Sequence, residues 1–262
     1  MEISGRVSKG SRMDQIYIPK NRSGLAIGSY VVIKPVIEPK FGDKPCLYNL
    51  QYLEPIKLEI IKRVMGLIDD YVENVIITGS FLNKGFNFGD LDVLLITNER
   101  VNGLNIENKL YSDLGIKTHL IIINSKSFVG GLESDPLFEM MLSRCVSKKR
   151  LILNPKRKID YRLLDLHLLK SKALIDNFDV LSGDEKYYLT RNMISLSLWI
   201  KNEKIDKELV DKKIIDIFGI KNISEIKLNM LDKKYFLKKY KLVYKEIFNK
   251  IMGGIKNESK QK

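Results

Sequence analysis

The stretch that most constrains this chain is Val75-Ile76-Ile77-Thr78-Gly79-Ser80, followed ten residues later by Asp90-Leu91-Asp92 at the head of Val93-Leu94-Leu95-Ile96. Val75 to Thr78 is short, apolar and β-branched, so it reads as a buried strand that empties into a Gly-Ser turn. Asp90, Asp92 and Leu94 alternate with Leu91, Val93 and Leu95. Residues two apart in a strand share a face, which predicts both carboxylates side by side, about 7 Å apart at Cα. Gly79 lets the backbone approach an anion closely, and Ser80 adds a hydroxyl and a backbone N–H, donors that cradle phosphate oxygens. Paired carboxylates suit a hard divalent cation, since magnesium is held by one or two protein carboxylates plus substrate phosphates.

Around this core the apolar period switches repeatedly. Ile56, Ile60, Val64, Leu67, Ile68 and Tyr71 recur at helical spacing and predict an amphipathic helix before the Val75 strand. Ile106 to Leu114 reads as a helix, Gly115 to Ile123 as a strand, and Asp135-Pro136 to Val146 as a helix with proline in its first turn. Arg150-Leu151-Ile152-Leu153 reads as a short last strand before Asn154-Pro155. Beyond Lys158 the strand signals cease. Leu163 to Leu174, Tyr187 to Ile200 with Ser182 and Glu185 as a capping box, Lys207 to Phe218 and Lys233 to Ile251 read as helices. The fold class is therefore α+β, a mixed sheet with helices. A small β segment over 1–40 and a linker over 41–55 precede the α+β domain at 56–155. An all-helical domain over 156–255 and a polar, frayed tail over 256–262 follow it.

Residues Thr78 to Asp92, read as T-G-S-F-L-N-K-G-F-N-F-G-D-L-D, resemble the signature of the DNA polymerase beta-type nucleotidyltransferase superfamily, in particular its small minimal members. The resemblance covers about residues 56–153. It implies a nucleotidyltransferase-type mixed sheet, with Gly79 and Ser80 binding a triphosphate and Asp90 and Asp92 holding magnesium. Lys84, in the spacer, stands where such proteins often carry a basic side chain for the phosphates; in a lysine-rich chain it reads equally as an exposed loop lysine. The activity implied is attack by an acceptor hydroxyl on the α-phosphorus of ATP or another nucleoside triphosphate, with release of pyrophosphate.

Active members usually add a third acid on a later strand. The strand that should carry it, Gly115 to Ile123, contains none and offers His119 between Lys117-Thr118 and Leu120-Ile121. Imidazole is a poor ligand for magnesium and a better one for manganese or zinc. Three roles are open to His119: a substitute ligand, a general base, or a satisfied histidine on a strand.

At the N-terminus, Ile16-Tyr17-Ile18-Pro19-Lys20 and Ser29-Tyr30-Val31-Val32-Ile33 are the clearest strands of a Gly- and Ser-punctuated segment. Their order resembles the AbrB-type swapped-hairpin DNA-binding domain over about 35 residues. The resemblance implies a homodimer, because so short a β segment buries too little core alone, with Arg6, Lys9 and Arg12 facing DNA. The other reading is a small β appendage on its own catalytic domain. Farther along, Arg162 and His167 match the Arg-x4-His pattern of HEPN-type helical nucleases, but a five-residue helical step rotates about 140°, so the two do not share a face.

The net charge of +13 is uneven: 29 Lys and Arg stand against 15 Asp and Glu from Met141 on, and 16 against 17 before it. Such a half suits an acidic partner such as nucleic acid, and equally reflects lysines spread over solvated helices. No run approaches the ~18 apolar residues of a membrane span, and Met1-Glu2-Ile3-Ser4-Gly5-Arg6 lacks a signal-peptide core. With only Cys46 and Cys145 and no paired pattern, a cytoplasmic protein with no membrane partner is expected. Two functions compete: a magnesium-dependent or manganese-dependent nucleotidyltransferase, and a DNA-binding regulator whose nucleotidyltransferase-like domain is catalytically impaired.

Overall fold

The computed structural model describes residues 7–8, 15–16, 44–68, 72–151 and 156–260. The chain divides into two units, Met1–Glu38 and Pro39–Lys262. In the first, β1 (Val7–Ser8) pairs antiparallel with β2 (Gln15–Ile16), placing Val7 opposite Ile16. The strand expected at Ser29–Ile33 and the basic residues Arg6, Lys9 and Arg12 lie outside the described residues.

The second unit begins with β3 (Cys46–Tyr48) and α1 (Pro55–Leu67), where Pro55 pre-sets the first turn. Next come β4 (Asn74–Thr78), a single 3-10 turn over Ser80–Leu82, and β5 (Leu91–Ile96). α2 (Gly103–Leu114) starts where the Asn102 side chain accepts from the Asn105 N–H and stops at Gly115, whose φ of 66° is left-handed. Then β6 (Thr118–Ile123), α3 (Ser125–Ser134), α4 (Pro136–Leu142) and β7 (Cys145–Ser147) complete the sheet and its cover. The strands lie in the order β3-β7-β4-β5-β6, antiparallel except for the parallel β5–β6 pair.

Strand periodicity splits the sheet's two apolar faces. Val75, Ile77, Leu91, Val93 and Leu95 pack with Ile61, Val64 and Met65 of α1 and Leu110 of α2. Ile76, Leu94 and Ile96 pack on the other side with Phe128 and Leu132 of α3 and Leu142 at the end of α4. Every residue of β4 is buried, which explains its unbroken apolar run.

The helical part comprises α5 (Tyr161–Asp176), α6 (Gly183–Ile200), α7 (Lys207–Phe218), α8 (Ser224–Lys227) and α9 (Lys233–Lys260). Asp160, Ser182 and Asp206 cap α5, α6 and α7, the second as a full capping box with Glu185. Leu164, Leu168, Met193, Trp199, Ile214, Phe218, Phe236 and Tyr240 form its core, and Met140 of α4 joins them. Arg157 ties the two parts together, its guanidinium 4.8 Å over the Trp199 ring and its Nε 3.0 Å from Glu139 Oε2. No helix among the described residues is long and apolar enough to cross a membrane.

Three local expectations are corrected. The helix predicted to run to Val146 ends at Leu142, and a strand forms at Cys145–Ser147; of the strand expected at Arg150–Leu153, Arg150 and Leu151 carry none, and Ile152 and Leu153 lie outside the described residues. The edge of β4 would otherwise carry unpaired backbone groups, and Val146 and Ser147 fill it opposite Ile77 and Ile76. The stretch read as a linker contains β3, held opposite β7 from Cys46↔Ser147 to Tyr48↔Cys145. The helix expected to end at Ile251 continues to Lys260, because Ile251 and Gly254 still pack: a β-carbon on Gly254 would lie 2.2 Å from the Tyr161 ring.

Candidate functional site

Strand register brings three of the singled-out positions into one row. Thr78 is the Cα partner of Asp92 across β4 and β5, and Asp92 is the partner of His119 across β5 and β6. Period two places all three on the face that carries Ile76, Leu94 and Ile121. Thr78 Oγ1 donates to the Met141 carbonyl at 2.6 Å, and His119 Nδ1 lies 3.2 Å from Asp92 Oδ1. The other Asp92 oxygen, Oδ2, rests against the backbone of Gly79. A β-carbon on Gly79 would meet it at 1.8 Å, and Gly79 has φ 82° and ψ −159°, a region open essentially to glycine alone. Gly79 therefore serves a close approach to the Asp92 carboxylate.

Ser80 follows at the head of the 3-10 turn and faces the same cleft. Asp90 stands one residue outside β5, half-buried, and does not line that cleft; the alternation that orients Asp92 begins only at Leu91. Lys84 is exposed in the loop between the turn and the strand and does not line the cleft either. A different lysine holds this loop. Fully buried Lys57 of α1 donates to the carbonyls of Asn83 and Gly85, pairs with Glu54 at 3.2 Å, and lies within 6 Å of the ring centres of Phe81, Phe86 and Phe88. Glu54 in turn accepts the Gly85 N–H at 2.7 Å, the main reason its carboxyl titrates below the ordinary range.

The cleft has a volume of about 570 Å³. Gly79, Ser80, Asp92 and His119 form its sheet wall, and Tyr187, Tyr188 and Arg191 of α6 with Lys207 of α7 form much of the opposite wall. Arg144 and Lys227 also line the cleft and add to its positive charge. Arg144 and Lys207, the latter at 3.0 Å, both donate to the same acceptor, Asn83 Oδ1. Burial lowers the Lys207 pKa, and the charges of Arg144, Lys227 and Arg191 lower it further against the pull of Asp211. Burial likewise lowers Arg144, with Glu208 opposing. Asp211 accepts from the Tyr187 hydroxyl at 2.7 Å, yet burial holds its carboxyl above the ordinary range.

Asp135 also lines the cleft and caps α4 by accepting from the Leu137 and Phe138 N–H groups. His167 Nε2 approaches its Oδ1 to 3.2 Å, at ion-pair distance but without hydrogen-bond geometry. Arg162, on the exposed side of α5, is separated from this contact. A second hollow of about 440 Å³, lined by Lys221, Glu225, Leu228 and Met230, includes none of the residues singled out from the sequence.

Among the described residues no three His, Cys, Asp or Glu side chains gather as a metal cage. Asp92 and His119 offer one carboxylate and one imidazole at the cleft. That donor set fits a divalent cation that arrives with phosphate oxygens of its own. The cations of the helical wall were not legible as site residues, because Arg144, Arg191, Lys207 and Lys227 come from separate segments of a chain with 45 Lys and Arg. No protein-family model, curated protein or solved structure matches this chain.

Proposed function

We propose that the cleft binds a nucleoside triphosphate and transfers its nucleoside monophosphate to a hydroxyl acceptor, in the manner of the nucleotidyltransferases that Thr78 to Asp92 resemble. The observation that carries this reading is the meeting of Gly79-Ser80, Asp92 and His119 on one wall of a cleft whose other wall is cationic. The antiparallel β4–β5 pair, with the turn at the end of one strand and Asp92 near the start of the other, supports a nucleotidyltransferase-type sheet.

In this reading the Gly79-Ser80 backbone and the Ser80 hydroxyl bind the phosphate chain. Asp92 would hold a magnesium or manganese ion carried in with the phosphates, and that ion would neutralise charge on the phosphorus-bound oxygens. The acceptor oxygen bonds to the α-phosphorus, the bond to the bridging oxygen breaks, and pyrophosphate leaves with the electron pair. His119 keeps Nδ1–H toward Asp92 Oδ1, which leaves Nε2 as the basic atom that takes the acceptor's proton. Asp92 thereby orients the imidazole as well as serving the cation.

Calorimetric titration with ATP and the other nucleoside triphosphates, in magnesium and then manganese, tests binding. Incubation with α-labelled triphosphate and host lysate tests transfer. Binding of a triphosphate that Asp92→Asn weakens, with label appearing on an acceptor, supports the reading; failure to bind any triphosphate with either metal overturns it.

The second reading is a DNA-binding regulator with an impaired nucleotidyltransferase-like domain. It draws on the position of Asp90 outside the cleft, which leaves one carboxylate there. Triphosphate binding without any transfer, together with low-salt DNA binding that an Arg6, Lys9 and Arg12 triple alanine variant loses, would favour it.

A further inference from the structure

The helical wall of the cleft carries more positive charge than its own contacts use. Arg144 and Lys207 share one neutral acceptor, Asn83 Oδ1. Arg191 reaches Asn192 Oδ1 at 3.2 Å and lies 4.9 Å over the Tyr188 ring. Among the described residues none of these three makes an ion pair. Lys227 sits 4.8 Å over the Tyr187 ring, and its one carboxylate partner, Asp184 at 3.4 Å, is a largely exposed side chain. Two further acids act on the group, Asp211 on Lys207, Arg191 and Lys227, and Glu208 on Arg144, so the four cations still outnumber the acids that act on them. Four cations thus line one cleft, three of them half-buried and Lys227 exposed, and Lys207 is destabilised there by burial and by its like-charged neighbours.

We propose that Arg144, Arg191, Lys207 and Lys227 form a phosphate subsite, which takes a multiply charged phosphate or polyphosphate group facing the Gly79-Ser80 turn. A carboxylate brings one charge and two oxygens, too few for four donors. A phosphate group brings up to two charges and three terminal oxygens, and its geometry matches the planar fork of Arg144 and Arg191. Its oxygen replaces Asn83 Oδ1 as the acceptor shared by Arg144 and Lys207. Two carriers share this chemistry: the triphosphate chain of the nucleotide, or a phosphate on the acceptor. The choice of a nucleotide as carrier rests on the function proposed above; the phosphate chemistry does not.

The test is calorimetry with inorganic tripolyphosphate, without divalent metal, on the full chain. Wild type should bind, and Lys207→Met and Arg191→Met should each weaken binding at least about tenfold, the loss of one charge-assisted contact. Lys241→Met, an exposed lysine of α9, should leave it unchanged. ATP and ribose 5-phosphate, titrated separately, identify the carrier by which of them the two variants weaken. Should a variant unfold, the titration of the Lys207 ammonium in the wild type, read by lysine-selective NMR, should rise when tripolyphosphate saturates the site. No tripolyphosphate binding, equal binding in the variants, or an unmoved Lys207 titration overturns the subsite. Tripolyphosphate binding that depends on Lys207 in a protein that binds no nucleoside triphosphate keeps the subsite and rejects the proposed transfer.

Discussion

Gly79 and Asp92 are in contact through the one place on Gly79 where any other residue would carry a side chain. The carboxylate Oδ2 occupies the position of the missing β-carbon, 1.8 Å from it. Gly79→Ala must therefore both strain a backbone at φ 82° and displace the carboxylate that faces the cleft. The backbone alone costs about 1–3 kcal/mol. Asp92→Ala in the same chain removes the collision and not the backbone strain. Chemical denaturation of the two single variants and the double should show the double more stable than the sum of the singles, a non-additivity that a purely local backbone effect does not produce.

Lys57 is the anchor of the loop between the phosphate turn and β5. Lys57→Met keeps the length of the side chain and loses the donor, leaving the Asn83 and Gly85 carbonyls and Glu54 without their partner. The expected cost is about 3 kcal/mol. Because Asn83 is also the acceptor for Arg144 and Lys207, the same variant should raise hydrogen exchange in the 83–90 loop and weaken triphosphate binding. Unchanged exchange in that loop would remove Lys57 as its anchor.

Lys207 makes stability depend on alkaline pH. Its folded pKa lies below the ordinary lysine value, so wherever the group is charged in both states the folded state bears the cost. As pH rises through the folded value, the folded protein sheds the proton while the unfolded chain keeps it up to about 10.4, and stability climbs. Urea midpoints should rise with pH for the wild type relative to Lys207→Met across that window. A flat difference across that window would contradict the shift.

Asp135 works with the opposite sign. Burial raises its pKa, but the His167 imidazole and the Leu137 and Phe138 N–H groups outweigh burial and hold the carboxyl below its ordinary value. Its contribution is present above about pH 3.9 and is lost as pH falls through the folded value. Asp135→Ala should cost about 1 kcal/mol at pH 7 through the lost helix cap. The difference from wild type should shrink under acid, measured as urea midpoints between pH 6 and pH 3.

Much of this arrangement is legible in the sequence where local chemistry decides it. The β-branched Val75 to Thr78 run, the Asp92 alternation and the Ser182–Glu185 box each have one physical solution, and each forms. Cys145–Ser147 is not legible, because Met140 to Val146 carries no Gly or Pro to mark where the helix stops, and only the open edge of β4 decides for a strand. β3 is three residues long, too short to display a period. The cationic wall is hidden for another reason: Arg144, Arg191 and Lys207 converge only when α6 and α7 pack beside α4, and nothing near any of them in sequence distinguishes it from the other basic residues. Asp90, the other motif carboxylate, stands one residue before β5 and is not among the residues that line the cleft.

His119 stands where a third carboxylate would complete a metal site, and its contact with Asp92 at 3.2 Å makes the consequence testable. As a metal ligand through Nε2, in place of its role as base, the imidazole would offer a nitrogen donor that magnesium uses poorly and manganese better. Under ligation, manganese should support tighter triphosphate binding and faster transfer than magnesium in the wild type. His119→Asp supplies an oxygen donor in register with Asp92 and should then reverse that preference. His119→Asn keeps the size and removes the basic nitrogen. It should flatten the pH–rate profile near the histidine range without restoring magnesium. Transfer rates for the three proteins in each metal, from pH 5.5 to 9, separate the two roles: a metal preference that survives His119→Asp rejects ligation, and a profile unmoved by His119→Asn rejects the base.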